Sequence, residues 1–266
     1  MPWMSPFWGL FWNVLCVGRV AESLPWAEEM LDTAKATCDP DLLISGHPID
    51  LGWALSFGAD VFEHRNEPEG LRMRAQESER LGRENSMPVM WALMAPVAYG
   101  LALIREGKPA EGIAQLEASM TVWDASGGKV RSPYCKSVIA EGMALTGDLD
   151  NALQLIEEQI EQVERLGWEE RLHYAEILRL EGWALSLKGD LEGAEKNYLA
   201  SLAWACKQQA KSWELRTSTS LAKLWQSQGK RKQAHDLLAP IYAWFTEGFD
   251  TKDLKEAKAL LEALSD

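Results

Sequence analysis

Four histidines and four cysteines in 266 residues are too few and too scattered for most metal or nucleophile chemistry. His47, His64, His173 and His235 stand far apart with no HExxH pairing, so they are expected to be ordinary surface or interhelix residues. Cys16, Cys38, Cys135 and Cys206 form no C-x-x-C pair, which argues against a zinc site or a disulfide framework and leaves reduced core thiols as the expectation. A P-loop is missing as well. Gly128-Lys129 has Trp123 where the first glycine belongs and Val130 where the hydroxyl belongs, and Gly229-Lys230 is followed by Arg231. No G-x-S-x-G marks an activated serine. The adjacent carboxylates Glu157-Glu158 and Glu169-Glu170 diverge by about 100° on a helix and do not converge on a substrate. No catalytic residue, no metal ligand and no cofactor-binding residue is therefore expected, and the chain reads as a non-enzyme.

Basic charge is also short, with 27 Lys and Arg against 40 Asp and Glu and a net charge of -13. Such a surface repels phosphate backbones and anionic lipid, so neither nucleic acid nor membrane is the expected partner. One stretch runs against the average: Lys207, Lys211, Arg216, Lys223, Lys230, Arg231 and Lys232 are opposed only by Glu214, and a solvated helix face is its plain reading. The longest apolar run, PFWGLFWNVLCVG from Pro6 to Gly18, is too short to span a bilayer and has no Lys or Arg before Arg19. A buried first helix and a cytoplasmic protein are expected.

What the chain does contain is a repeat. YGLALIREGKPAEGIAQL, IAEGMALTGDLDNALQLI, EGWALSLKGDLEGAEKNYL and LAKLWQSQGKRKQAHDLL share one form, an apolar helix, a glycine turn and a second helix. The turn glycines Gly107, Gly147, Gly189 and Gly229 are spaced by 40, 42 and 40 residues. Around them stand small residues in pairs 12 apart: Gly100 with Gly112, Ala140 with Ala152, Gly182 with Ala194, Ala222 with Ala234. Two antiparallel helices that cross closely need small side chains there. The turn glycine ends the first helix in the left-handed conformation. Gly-Asp-Leu at 147–149 and 189–191 then offers an aspartate to cap the next helix, and Pro109 opens another. Upstream, Gly18 with Phe11 and Ser23 fits the frame loosely, Asn66 occupies the turn position, and Asp39 to Pro48 forms an irregular link.

The predicted helix pairs are 6–17 with 20–37, 49–65 with 68–85, 88–106 with 109–125, 131–146 with 149–166, 169–188 with 191–208 and 212–228 with 231–246, closed by a capping helix at 251–264. The expected fold class is all-α, a tetratricopeptide-like right-handed superhelix of about six antiparallel helix pairs plus the cap. It is a single helical-repeat domain over 1–266, irregular over 6–85 and regular over 88–246.

The stretches AKSWELR at 210–216, LLAPIYAWFTEGFDT at 237–251 and DLKEAKALL at 253–261 resemble the tetratricopeptide tail of bacterial multidomain signalling proteins that join a nucleotide cyclase to a STAND-type predicted ATPase. GHPIDLGWALSFGADV and EGIAQLEASMTVW extend the resemblance over most of the chain from about Phe7. It implies a sensor or scaffold tail of a bacterial signal-transduction protein. The cyclase and ATPase domains are absent from this sequence.

Thirteen tryptophans suggest an aromatic groove, but Trp26, Trp53, Trp91, Trp123, Trp183, Trp204, Trp225 and Trp244 recur among apolar neighbours, so packing is the expectation. A working surface is expected on the concave face, lined by the first helix of each pair. Motif positions 2, 5 and 9 read Met94, Val97 and Leu101; Tyr134, Ser137 and Glu141; Glu176, Arg179 and Trp183; Arg216, Thr219 and Lys223. This face runs from apolar to basic and suits a protein or peptide partner that carries apolar and then acidic groups. Two other functions remain open, a non-catalytic fragment or trans subunit of a cyclase-ATPase and self-assembly into a homo-oligomer through Phe7, Trp8, Phe11 and Trp12.

Overall fold

Glycine turns and small-residue crossings do build the chain into antiparallel helix pairs. The computed structural model describes residues 47–127, 129, 131–167 and 170–265, with the backbone alone over 47–53 and at 57. Among these residues there is no strand. The first predicted pair, the apolar N-terminal run and the link from Asp39 as far as residue 46 lie outside them, while His47 and Pro48, expected in that link, begin the first described helix.

Two compact units divide after Lys129. In the first, α1 (His47–His64) pairs with α2 (Pro68–Glu84), and a π-helical turn (Val89–Met94) leads into α3 (Ala95–Arg105), which pairs with α4 (Pro109–Ala125). The second holds α5 (Ser132–Leu145) with α6 (Leu149–Glu164), α7 (Tyr174–Lys188) with α8 (Leu191–Gln208), α9 (Lys211–Ser227) with α10 (Arg231–Ala243), and a last helix, α11 (Lys252–Ser265).

All four turn glycines have positive φ, from 78° to 95°. A Cβ there would meet nothing within 4 Å, so the requirement is conformational and not steric. Asn66 takes the same turn position at φ 56°. The crossing glycines obey the opposite rule. A Cβ at Gly100 would lie 2.7 Å from Leu116, at Gly112 2.5 Å from Ile104, and at Gly182 2.9 Å from the Tyr198 ring. Ala140, Ala152, Ala194, Ala222 and Ala234 fill the remaining crossings and are fully buried.

Several local expectations are corrected. Asp190 caps α8 by accepting the Gly193 N–H at 2.9 Å, whereas Asp148 makes no such cap and takes the side-chain amide of Asn151 instead. The residue three positions on decides this: a Cβ at Gly193 would stand 2.4 Å from the Asp190 carboxylate, and Asn151 has one. The helix expected from 88 opens as a π turn because Pro96 has no N–H. The Ala95 N–H reaches back five residues to the Met90 carbonyl. The helix expected from 169 forms only from Tyr174, since the Glu170 carboxylate accepts the Leu172 N–H at 2.9 Å and holds a turn before it. The helix expected to reach 246 ends at Ala243, and the Trp244 and Phe245 N–H groups bond three residues back instead of four. Cys135 is buried as expected, but Cys206 is exposed, and Trp244 is 43% exposed where packing was expected.

Candidate partner-binding face

Within the second unit α5 touches α7, α7 touches α9, and α9 touches α11, forming an inner row. The outer helices bury one stripe each, Ala152, Ile156, Gln159 and Val163 on α6 and Ala194, Tyr198, Ser201 and Ala205 on α8. The inner helices are buried nearly all round: α9 encloses Ser212 to Thr219 without a break. Such a helix would ordinarily be apolar on every face. Here much of it is polar, and most of the polar groups are paired, although the buried Ser218 hydroxyl has no hydrogen-bond partner.

An aromatic ladder crosses the N-terminal ends of the row. Tyr134 stacks on His173 with ring centroids 4.3 Å apart, His173 meets the edge of Trp213 at 6.2 Å, and the Arg216 guanidinium lies 4.9 Å from the Trp213 ring centroid. Beside it runs a ladder of charge. Arg179 forks onto Glu176 with Nε and Nη2 bonds of 2.7 and 2.8 Å. Arg216 donates from Nε and Nη2 to Asp253 of α11 at 2.9 and 2.6 Å and from Nη1 to Glu176 at 3.4 Å. Glu176 is fully buried, and both arginines are nearly so. Burial opposes the charge on each guanidinium, yet the carboxylates outweigh it and both pKa values are raised: Glu176 acts on Arg179, and Asp253 with Glu176 on Arg216. The ions stay charged because they are mutually held.

Ser137 and Thr219 spend their hydroxyls on their own helices, donating at 2.8 Å to the Pro133 and Leu215 carbonyls. Tyr134, Ser137, Glu176, Arg179, Arg216 and Thr219, the expected positions 2 and 5 of this unit, are thus enclosed. Position 9 is different. Glu141 and Trp183 are partly exposed, Trp183 resting on the core around Tyr198 and Leu221, and the Lys223 side chain is half exposed in a surface pair with Glu256. In the first unit Met94 is partly exposed in the π turn, while Val97 and Leu101 are buried.

Sequence patterning missed His173, Trp213, Asp253 and Glu256. The signal was there in part: His173 to Trp213 and Glu176 to Arg216 are both 40 apart, the spacing of Gly189 and Gly229. The frame slips between α5 and α7, where Tyr134 meets His173 at a separation of 39 although the turn glycines are 42 apart. The basic tract is not a bare solvated face either, because Lys211 pairs with Glu214, Arg216 with Asp253, Lys223 with Glu256 and Lys230 with Glu195.

A second polar cluster lies between α6, α7 and α8. The Tyr174 hydroxyl donates to Glu164 at 2.5 Å, and burial together with that carboxylate pushes its pKa up. Glu181 is pushed up to about 7 by burial and then by Glu157 and Glu164, against the pull of Lys196. Among the described residues no three His, Cys, Asp or Glu side chains gather as a metal site would need, and no helix is long and apolar enough to cross a membrane.

These features define an all-α helical repeat protein. No protein-family model matches the chain, and no curated protein matches it. Among solved structures it is similar to Bacillus thuringiensis PlcR, crystallised in complex with the peptide PapR7 and DNA, with a TM-score of 0.63 and 15% identity over 85% of this chain and 77% of that one. BtubC (BKLC) from P. vanneervenii superposes with a TM-score of 0.53 and 14% identity, covering 92% of this chain and 89% of its own. At such identities the likeness speaks for the fold alone.

Proposed function

We propose that this chain is a protein-interaction module that holds a segment of a partner protein along the inner row of its second unit, by binding and without chemistry of its own. The observation that carries this reading is the division of labour on the row. Tyr134, Glu176, Arg179 and Arg216 are locked into the aromatic and charge ladders and Ser137 and Thr219 bond their own helices, while Glu141 and Trp183 are partly exposed and the Lys223 side chain half exposed on three successive inner helices. Buried ion pairs are a poor source of net stability, but they hold side chains in fixed places, and a rigid floor lowers the ordering cost of capture. PlcR, similar in fold, was crystallised with a peptide, and the same mode of use is the reading adopted for this chain. The charge of -13 favours protein over nucleic acid as the partner.

The biological setting is proposed from the C-terminal stretches quoted above: a cytoplasmic regulatory or scaffold element of a bacterial signalling system of the cyclase and STAND-ATPase kind. The purified chain, immobilised and incubated with host lysate without cross-linking, is expected to capture a protein that is lost from a Trp183→Leu/Lys223→Glu variant with unchanged circular dichroism. Capture that ignores these substitutions, or no capture, sinks the reading.

A further inference from the structure

With 40 acids to 27 bases, carboxylates are in excess, and Arg72, Arg83, Arg179 and Arg216 each hold one. Among the described residues Arg171 and Lys207 hold none, yet both are drawn onto one ring. The Lys207 ammonium lies 4.6 Å and the Arg171 guanidinium 5.6 Å from the Trp204 ring centroid. Neighbouring carboxylates are committed elsewhere: Glu170 accepts the Leu172 N–H, Glu164 the Tyr174 hydroxyl, and Glu214 pairs with Lys211. The cluster is held in place from two sides. Tyr174 meets the Trp204 ring edge-on at 5.2 Å, and Gln208 donates from Nε2 to the Arg171 carbonyl at 2.8 Å. The Arg171 Nε–H is enclosed and meets no acceptor.

Stability does not account for this placement. Lys207, in the last turn of α8, suits the negative end of that helix dipole, but Arg171 stands just before α7, at a positive end, where a cation is disfavoured. Two like charges gathered on one ring also repel, and a carboxylate set between them relieves that repulsion. Beside the cations the solvent face of α8 turns apolar. Ala200 and Ala203 lead along it to Lys207, and Leu199, 45% exposed, flanks them about 12 Å before Lys207 along the axis. We propose that Arg171, Trp204 and Lys207 form a second binding site, on the outer helix α8 and away from the inner row, for an acidic segment of a partner protein. A carboxylate of the segment enters between guanidinium and ammonium, and an apolar side chain beside it covers Leu199. A planar guanidinium and a mobile ammonium are the groups that recognise carboxylates, and the indole beneath them fixes both in advance.

A fluorescein-labelled peptide with a pair of leucines ahead of a run of glutamates, titrated with the full chain and followed by anisotropy, tests this. It is expected to bind, and the same peptide with glutamines in place of its glutamates is expected not to. Arg171→Gln/Lys207→Gln should weaken binding about tenfold and Leu199→Ser about threefold, with circular dichroism unchanged. Lys230→Gln/Lys232→Gln removes the same net charge at the start of α10 and should leave the affinity as it is, as should the inner-row variant Trp183→Leu/Lys223→Glu. An equal loss with Lys230→Gln/Lys232→Gln reduces the effect to bulk charge and overturns the proposal. Loss with the inner-row variant, which would seat the peptide on the row, also overturns it, as does no binding at all. A thymidine oligonucleotide that binds as tightly through Arg171 and Lys207 would make the site one for phosphate and remove the acidic protein as its partner. None of these outcomes decides the module reading, which has its own test.

Discussion

Asp148 and Asp190 open the same Gly-Asp-Leu joint and end up bonded differently, because Asn151 stands where Gly193 stands one repeat later. Asp190→Ala is expected to cost about 1 kcal/mol, the ordinary worth of a capping side chain, and Asp148→Ala less than half of that. Thermal melts of the two variants compare them directly. Glu181 provides a pH-dependent case. Its folded pKa of about 7 lies above the usual carboxylate value, so between about pH 4.5 and 7 the folded state holds more proton than the unfolded one. Stability from this group is lost as pH rises through that window. Glu181→Gln should raise Tm at pH 8 by about 2–4 °C, the shift roughly 1 kcal/mol produces in a chain of this size, and change little at pH 4. An equal effect at both pH values would remove the electrostatic account.

Pairs of helices are set by two kinds of glycine that sequence alone separates only by position. Gly182→Val drives methyl groups into the Tyr198 ring and should cost about 1–3 kcal/mol as overpacking. Gly147→Ala meets no neighbour and should cost about 1–2 kcal/mol through backbone conformation alone. The inner row answers to charge as well. Arg216→Met strands Asp253 in a nearly buried site, while Glu176 keeps the Arg179 fork, and is expected to cost about 3–5 kcal/mol, of which Arg216→Met/Asp253→Leu should recover a large part. Urea melts of the single and double variants provide the measurement. The glycine frame was legible because backbone conformation and close crossing admit few residue types. The ladders were not, because burial of Glu176, Arg179 and Arg216 depends on which helices stand on either side. A frame counted from turn glycines cannot register that α7 is offset by three residues at its start relative to α5.

The second unit is finished by α11, whose Leu254, Ala257, Leu260 and Leu264 close the apolar core over Leu221 and Trp225 while Lys252, Lys255, Lys258 and Glu262 face outward. A chain ending at Asp250 should therefore associate with itself, with a light-scattering mass that rises with concentration, unlike the full chain. The need for a terminal helix was readable from TKDLKEAKALLEAL, since its apolar spacing fits one packed face. That its acids complete the charge ladder was not readable, because Asp253 and Glu256 look in sequence like ordinary acids of a solvated first turn.

The alternation of Glu176, Arg216 and Asp253 across α7, α9 and α11 also bears on how such a gene can change. Repeats arise and disappear by unequal crossover, yet a helix pair that looks like its neighbour is not thereby dispensable. Excising residues 211–250 would put α11 in the place of α9 with Glu256 at the position of Arg216, and so confront Glu176 with a second carboxylate where a guanidinium had stood. The repeats share a shape without being exchangeable, because Glu176 and Arg216 carry opposite signs at equivalent places of α7 and α9.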